Sequence, residues 1–212
     1  MNFKEATREA AKIANDAVLS VMNSYARGFY TDEDDVNPAL AQQLKSDLDG
    51  KIGGISWQSS IMRHRRGVAD EEGRTGADIA LFFTLDTPTH KFKKGVLIQA
   101  KRSEPDRNLS QTALANLRRQ CDKMLKITPA AFVFNYAHRG MRCASASKIS
   151  GCTNRDLYSE CDWTAYRFFL EFFRCPIGDP RFKSALATEL PIPIILELSA
   201  AGEFFSERRI EL

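Results

Sequence analysis

The sequence predicts an α/β fold, and three observations carry that expectation. From Asp78 to Leu85 the residues alternate, with Ile79, Leu81, Phe83 and Leu85 on one side and Asp78, Ala80, Phe82 and Thr84 on the other. Val96, Ile98 and Ala100 alternate in the same way with Leu97, Gln99 and Lys101. Strand side chains project to opposite faces with period two, so both stretches read as strands. Amphipathic runs of helical period stand on either side of them, at Asn2 to Ala26 and Asp106 to Lys126, and a short apolar run at Ala130 to Tyr136 reads as a further buried strand. With 212 residues, 43% of them hydrophobic and 27% charged, the chain has material for one substantial core. The parts expected within it are an N-terminal helical part over 1–50, a core over 51–150 and a C-terminal helical and edge-strand extension over 151–212.

Taken in order, Ala6, Ala10, Ile13, Ala14, Ala17, Val18, Val21 and Met22 give the first helix its apolar stripe. Asn2 and Glu5 form a capping-box pattern at its start, and Gly28 is a stop. Glu5 and Glu9 are remote candidates for a site acid, against the plainer reading of solvated helix carboxylates. Thr31 to Val36 carries Asp32, Glu33, Asp34 and Asp35 without the glycine and terminal glutamate of a calcium loop, so it reads as a solvated linker. Asn37 and Pro38 then open a second helix that ends near Gly50. Ile55 to Met62 alternates as a strand, and Arg63 to Thr75 is a polar loop.

Beyond the central pair of strands, Leu114, Leu117, Cys121, Met124 and Leu125 stripe the helix that Pro129 closes. Gln120 and Gln111 lie on it as weaker site candidates. Arg139-Gly140 turns the buried strand into a partner over Met141 to Ser147. Asp162 caps an aromatic helix with Trp163, Tyr166, Phe168, Phe169, Leu170, Phe172 and Phe173, too broadly apolar for one face, which reads as core packing ahead of a subunit contact. Ile192 to Leu198 reads as an edge strand, because Pro191 and Pro193 argue against a central one.

Net charge is +3, too small to announce a nucleic-acid partner, but Arg63-His64-Arg65-Arg66, Lys101-Arg102 and Arg118-Arg119 cluster near the strand pair. A basic surface of that kind attracts phosphates. The five cysteines are an odd set without a CxxC spacing, and no signal peptide precedes them, so reduced thiols and a cytoplasmic location are expected. No apolar run approaches about 18 residues, so no membrane span is expected.

Folding Asp78 to Lys101 back on itself with a turn near Thr89-His90 sets Ile79, Leu81 and Phe83 against Ala100, Ile98 and Val96. On the other face Phe82 meets Leu97, Ala80 meets Gln99 and Asp78 meets Lys101. A slip of one residue would exchange the faces. The outcome is a carboxylate, an amide and an amine together at the open end of an otherwise apolar hairpin. A packing element with an Asp–Lys cross-strand pair is the plain alternative.

Asp78 in Gly76-Ala77-Asp78, followed by Gln99-Ala100-Lys101, resembles the PD-(D/E)xK nuclease superfamily, in the Gln-x-Lys form seen in the Mrr-type branch. The resemblance extends over about Ser56 to Ser147, where helix, strand and strand follow the motif in the family order. It implies a restriction-endonuclease-like mixed sheet with an N-terminal helical extension and a C-terminal helix. It also implies phosphodiester hydrolysis, in DNA ahead of RNA, in a restriction or phage-defence setting. Asp78, Gln99, Lys101 and Glu72 are then the expected catalytic set, with Asp78, the Gln99 amide oxygen, the Ala100 carbonyl and Glu72 as ligands of Mg²⁺ or Mn²⁺. Arg63, Arg65, Arg66 and Arg102 are expected to bind nucleic acid. A sensor or motor subunit and a second copy of the chain are the implied protein partners. The competing expectation is a nuclease-like domain that binds nucleic acid or a protein without cutting.

Overall fold

The computed structural model describes residues 2–63 and 75–203. Eight strands form one mixed sheet in the order β1-β2-β8-β3-β4-β5-β6-β7. They are β1 (Gly50–Ile52), β2 (Ile55–Arg63), β3 (Ile79–Asp86), β4 (Lys91–Arg102), β5 (Ala131–Ala137), β6 (Gly140–Ser145), β7 (Trp163–Thr164) and β8 (Ile194–Ala201). Only β3–β8 and β4–β5 pair in parallel. Helices cover both faces, as expected for an α/β chain.

One face carries Ile79, Leu81, Phe83, Val96 and Ile98 beneath α1 (Phe3–Ala26), α2 (Glu33–Asp47) and α6 (Ala165–Arg174). The alanine stripe of α1 lets it lie close along α6, and Arg174 seals their ends by donating from Nη2 to the Lys4 carbonyl at 3.1 Å. Phe168, Phe169, Phe172 and Phe173 are all fully buried, so the breadth of the α6 stripe is core packing. Phe83 touches Trp57, Phe172 and Phe173 with ring centroids 5.1–6.1 Å apart. Each such ring contributes about 1.5–3 kcal/mol by burial alone. The opposite face carries Ala80, Phe82, Leu97 and Val133 beneath α3 (Gln111–Ile127), α4 (Ala146–Ser150) and α7 (Ser184–Glu189), with α5 (Leu157–Glu160) beside them. Cys121, Cys143 and Cys161 are buried there and in the first core, and all five cysteines are free. Burial pushes the Cys121 and Cys161 thiols up to about 12, which leaves them unreactive.

Four expectations change. First, the hairpin keeps its faces but slips by two residues: Ile79 pairs with Ile98, Leu81 with Val96 and Phe82 with Gly95. A four-residue loop, in which the Thr87 N–H donates to the His90 carbonyl at 3.0 Å, sets this register. Gly95 locks it, because a Cβ there would lie 2.3 Å from the Phe82 ring. Second, Ile194–Ala201 is an interior strand, inserted between β2 and β3. Pro191 and Pro193 precede its first residue, so neither interrupts a ladder. Third, the acidic stretch is no linker: Asp32 caps α2 by accepting the Asp35 N–H at 3.1 Å, and Glu33, Asp34 and Asp35 fill the first turn, where the helix dipole favours them. Pro38 sits inside this helix rather than opening it, and Asn37 is no cap but a buried partner of Tyr136. Fourth, Thr164 rather than Asp162 caps the aromatic helix.

Candidate active site at the open end of the hairpin

Asp78 is fixed on both sides by its main chain. Its N–H donates to the Ile98 carbonyl at 2.9 Å, and its carbonyl accepts the Ile194 N–H at 3.2 Å. Gly76, two residues earlier, has φ +72°, and a Cβ there would lie 2.4 Å from the main-chain oxygen of Gln120. Only glycine lets the approach to β3 run this close to α3. Gln120 therefore abuts the site through its backbone.

The two-residue slip brings Asp78 to Gln99 instead of Lys101. The Asp78 Oδ2 accepts the Gln99 Nε2–H at 2.7 Å and the Ala100 N–H at 2.8 Å, and the same Nε2 donates to the Ala100 carbonyl at 2.9 Å. Both neighbours of Nε2 are acceptors, so the orientation of the amide is fixed. Its Oε1 is buried without a hydrogen-bond partner among the described residues. Lys101 projects beyond Asp78, and its ammonium lies 3.3 Å from Glu33 Oε1. That same oxygen accepts the Arg102 N–H at 2.8 Å.

Two residues overlooked in the sequence thus belong here. Glu33 reaches the catalytic-candidate lysine, and Asp34 lines a cleft of about 250 Å³ with Asn37, Pro38, Arg63, Asp78, Pro193 and Ile194. The signal was present: Asp32 and Asp35 stand at cap spacing, and the stripe of Val36, Leu40, Ala41 and Leu44 runs back past Pro38. The turn is held to the sheet by Tyr136, whose hydroxyl donates to Asn37 Oδ1 at 2.8 Å. Burial, helped by the Asp78 and Glu33 charges, keeps that phenol well above its usual pKa, so it remains a donor.

Of the expected nucleic-acid contacts, Arg63 ends β2 at the cleft. Arg102 is turned toward α1 and α2: Nη1 donates to the Thr31 carbonyl, and the guanidinium lies 6.0 Å from the Tyr25 ring. Arg118 is tied to the Ser150 carbonyl at 2.8 Å. Glu5 serves the α1 capping box. Glu72, Arg65 and Arg66 lie outside the described residues.

Among the described residues no three His, Cys, Asp or Glu side chains gather as a metal-binding group. What gathers at Asp78 is of another kind, one carboxylate and the Ala100 carbonyl, both oxygen donors of the type that hard divalent cations take, bridged by the Gln99 amide nitrogen, which is no ligand. The Gln99 Oε1 is a buried acceptor in want of a positive partner, and a turn of the amide would bring it to the side of the carboxylate and the carbonyl to meet such an ion. No described helix is long and apolar enough to cross a membrane. No family model, curated protein or solved structure matches the chain.

Proposed function

We propose that this protein is a metal-dependent nuclease of the PD-(D/E)xK type, with a restriction-endonuclease-like fold and DNA ahead of RNA as substrate. The observation that carries the reading is the hydrogen-bonded cluster of Asp78, Gln99 and Ala100, 2.7–2.9 Å apart, whose Asp78 lines a cleft with Asp34 and Arg63. Asp78 and the Ala100 carbonyl would hold Mg²⁺ or Mn²⁺, joined by Gln99 through Oε1 once its amide turns over, with Asp34 as the nearby second carboxylate and Glu72 as the expected loop acid. The ion supplies charge neutralisation at the phosphate and a more acidic water. Arg63 binds a phosphate flanking the scissile one. Lys101 orients the attacking water and stabilises the charge that builds on the phosphate oxygens.

The test is incubation of the purified chain with plasmid, single-stranded DNA and RNA, with and without Mg²⁺ or Mn²⁺, beside Asp78→Ala. Metal-dependent cleavage that Asp78→Ala lacks supports the reading. Cleavage that persists in that variant overturns it. One observation favours a second reading, a domain that binds without cutting: Asp78 Oδ2 already accepts two hydrogen bonds, and Lys101 is already engaged by Glu33. Retention of DNA without cleavage, under all metal conditions, would decide for it.

A further inference from the structure

Asn135 is the single polar side chain in the apolar run of β5, and it is 0% exposed. Its Nδ2 donates to the Ser103 carbonyl at 3.0 Å. A main-chain carbonyl only accepts, so the orientation of this amide is fixed and Oδ1 is the atom left over. That oxygen is buried, and no hydrogen-bond donor among the described residues reaches it. A leucine of similar size would fill the same space without leaving an acceptor unpaired. Where a folded chain keeps such an atom, a use for it has to be sought.

The register indicates the use. In the parallel β4–β5 ladder Lys101 lies opposite Asn135, as Gln99 lies opposite Val133. Neighbouring strands run about 4.8 Å apart, so the four-carbon stem of a lysine easily spans the distance to a lateral neighbour. Ser103, the residue that Asn135 grips, is two positions beyond Lys101 and ends the exit of β4. In the structure the Lys101 ammonium sits on Glu33, whose charge offsets its own.

We propose that Asn135 is the positioning residue of Lys101: Nδ2 clamps the exit of β4, and Oδ1 receives the ammonium when Glu33 releases it. The consequence for catalysis rests on the nuclease reading, whereas the exchange of partners does not. A carboxylate partner cancels the lysine's charge, and a neutral amide partner leaves it intact for a phosphate. Lys101 thus has an outer resting place on Glu33 and an inner working place on Asn135.

Two measurements test this on the full chain. Trace acetylation with acetic anhydride, read by mass spectrometry against Lys123 as internal reference, compares Glu33→Gln with Glu33→Gln/Asn135→Leu. Lys101 labels several-fold faster in the double variant if Asn135 holds it. Equal labelling overturns the proposal. In the cleavage assay, Asn135→Leu lowers turnover about tenfold or more, the scale of a displaced catalytic group. KM and the metal requirement are unchanged, whereas a merely structural role, the Ser103 clamp alone, would lower the melting midpoint and leave turnover at the wild-type rate. Asn135→Ser, whose short hydroxyl cannot serve both partners, shifts turnover in the same direction and covers failure of the leucine variant to fold. Wild-type turnover in both variants sinks the proposal. Should the wild-type chain cleave nothing, the nuclease reading fails, and the labelling still decides the place of Lys101.

Discussion

Two of the lysines on β4, Lys94 and Lys101, could hardly be housed more differently. Lys94 is 3% exposed on the aromatic face, its ammonium donating to the Ile177 carbonyl at 2.7 Å and lying 5.1 and 4.9 Å from the Phe92 and Phe172 rings. Burial lowers its pKa to about 8. Lys101 lies on the other face, a third exposed, with a carboxylate 3.3 Å away. One end of the strand dehydrates an amine and surrounds it with carbon. The other pairs an amine with a carboxylate oxygen and leaves it partly in water. Residue type alone says nothing of this difference, and surroundings decide it.

The comparison breaks most sharply at the site end. Asp78→Ala should reduce metal-dependent cleavage to background while circular dichroism stays near wild type, with a melting midpoint lowered by the two buried donors, on Gln99 and Ala100, that lose their acceptor. Retained cleavage would remove the site from this end of β4. Next in size, Lys101→Ala should slow cleavage about 10²-fold at saturating metal and leave calorimetric metal affinity unchanged, because an ammonium is no ligand. A loss of metal affinity instead would reassign the residue.

Gln99 sharpens the same end. Replacing it with alanine should weaken Mg²⁺ binding about tenfold or more, while Gln99→Glu keeps an oxygen, adds charge and tightens binding. Two variants with identical metal affinity would make the amide a packing group.

The smallest effect on cleavage, none, belongs to the buried end, where stability is the readout. The folded-state pKa of Lys94, about 8, lies below the ordinary value of 10.5. Below pH 8 both states carry the proton, and the folded state bears the full cost of the buried charge. Between about 8 and 10.5 the unfolded chain binds more protons, so this group's contribution to stability rises with pH, by about 3 kcal/mol at most. Denaturation of wild type and Lys94→Met across that window should show the rise in wild type alone. Parallel pH profiles would contradict a buried charge, and a loss of cleavage in Lys94→Met would erase the contrast between the two lysines.

What the sequence made legible follows from what repeats in it. Alternation at Ile79, Leu81 and Phe83 assigned each side chain to its face, and the structure agrees. Alternation has period two, however, so it leaves a slip of two residues undetermined, and Asp78 was set opposite Lys101 when it meets Gln99. Gly95 carries a hint, since a glycine inside a strand often marks a close approach, here of the Phe82 ring. Pro38 obscures the acids of α2, because proline favours the first turn of a helix, whereas the cap stands six residues earlier at Asp32. Asn135 was hidden for a different reason: one polar residue in an apolar strand has no period, and its meaning lies in its neighbours on β4.

The place of β8 has a consequence for how this chain reaches its working form. The hairpin of β3 and β4 is local and can close early, but its β3 edge is completed only by a strand that follows all the other described elements. Contacts between segments so distant in the chain form slowly. Until they do, β3 shows an open row of amides and carbonyls to any other chain that offers an edge. The Ile194 N–H that fixes the Asp78 carbonyl arrives with that last strand. Metal binding should therefore appear in the slowest phase of refolding, and dilution or a chaperone that shields the hairpin should raise the yield of active protein more than it raises the yield of helix.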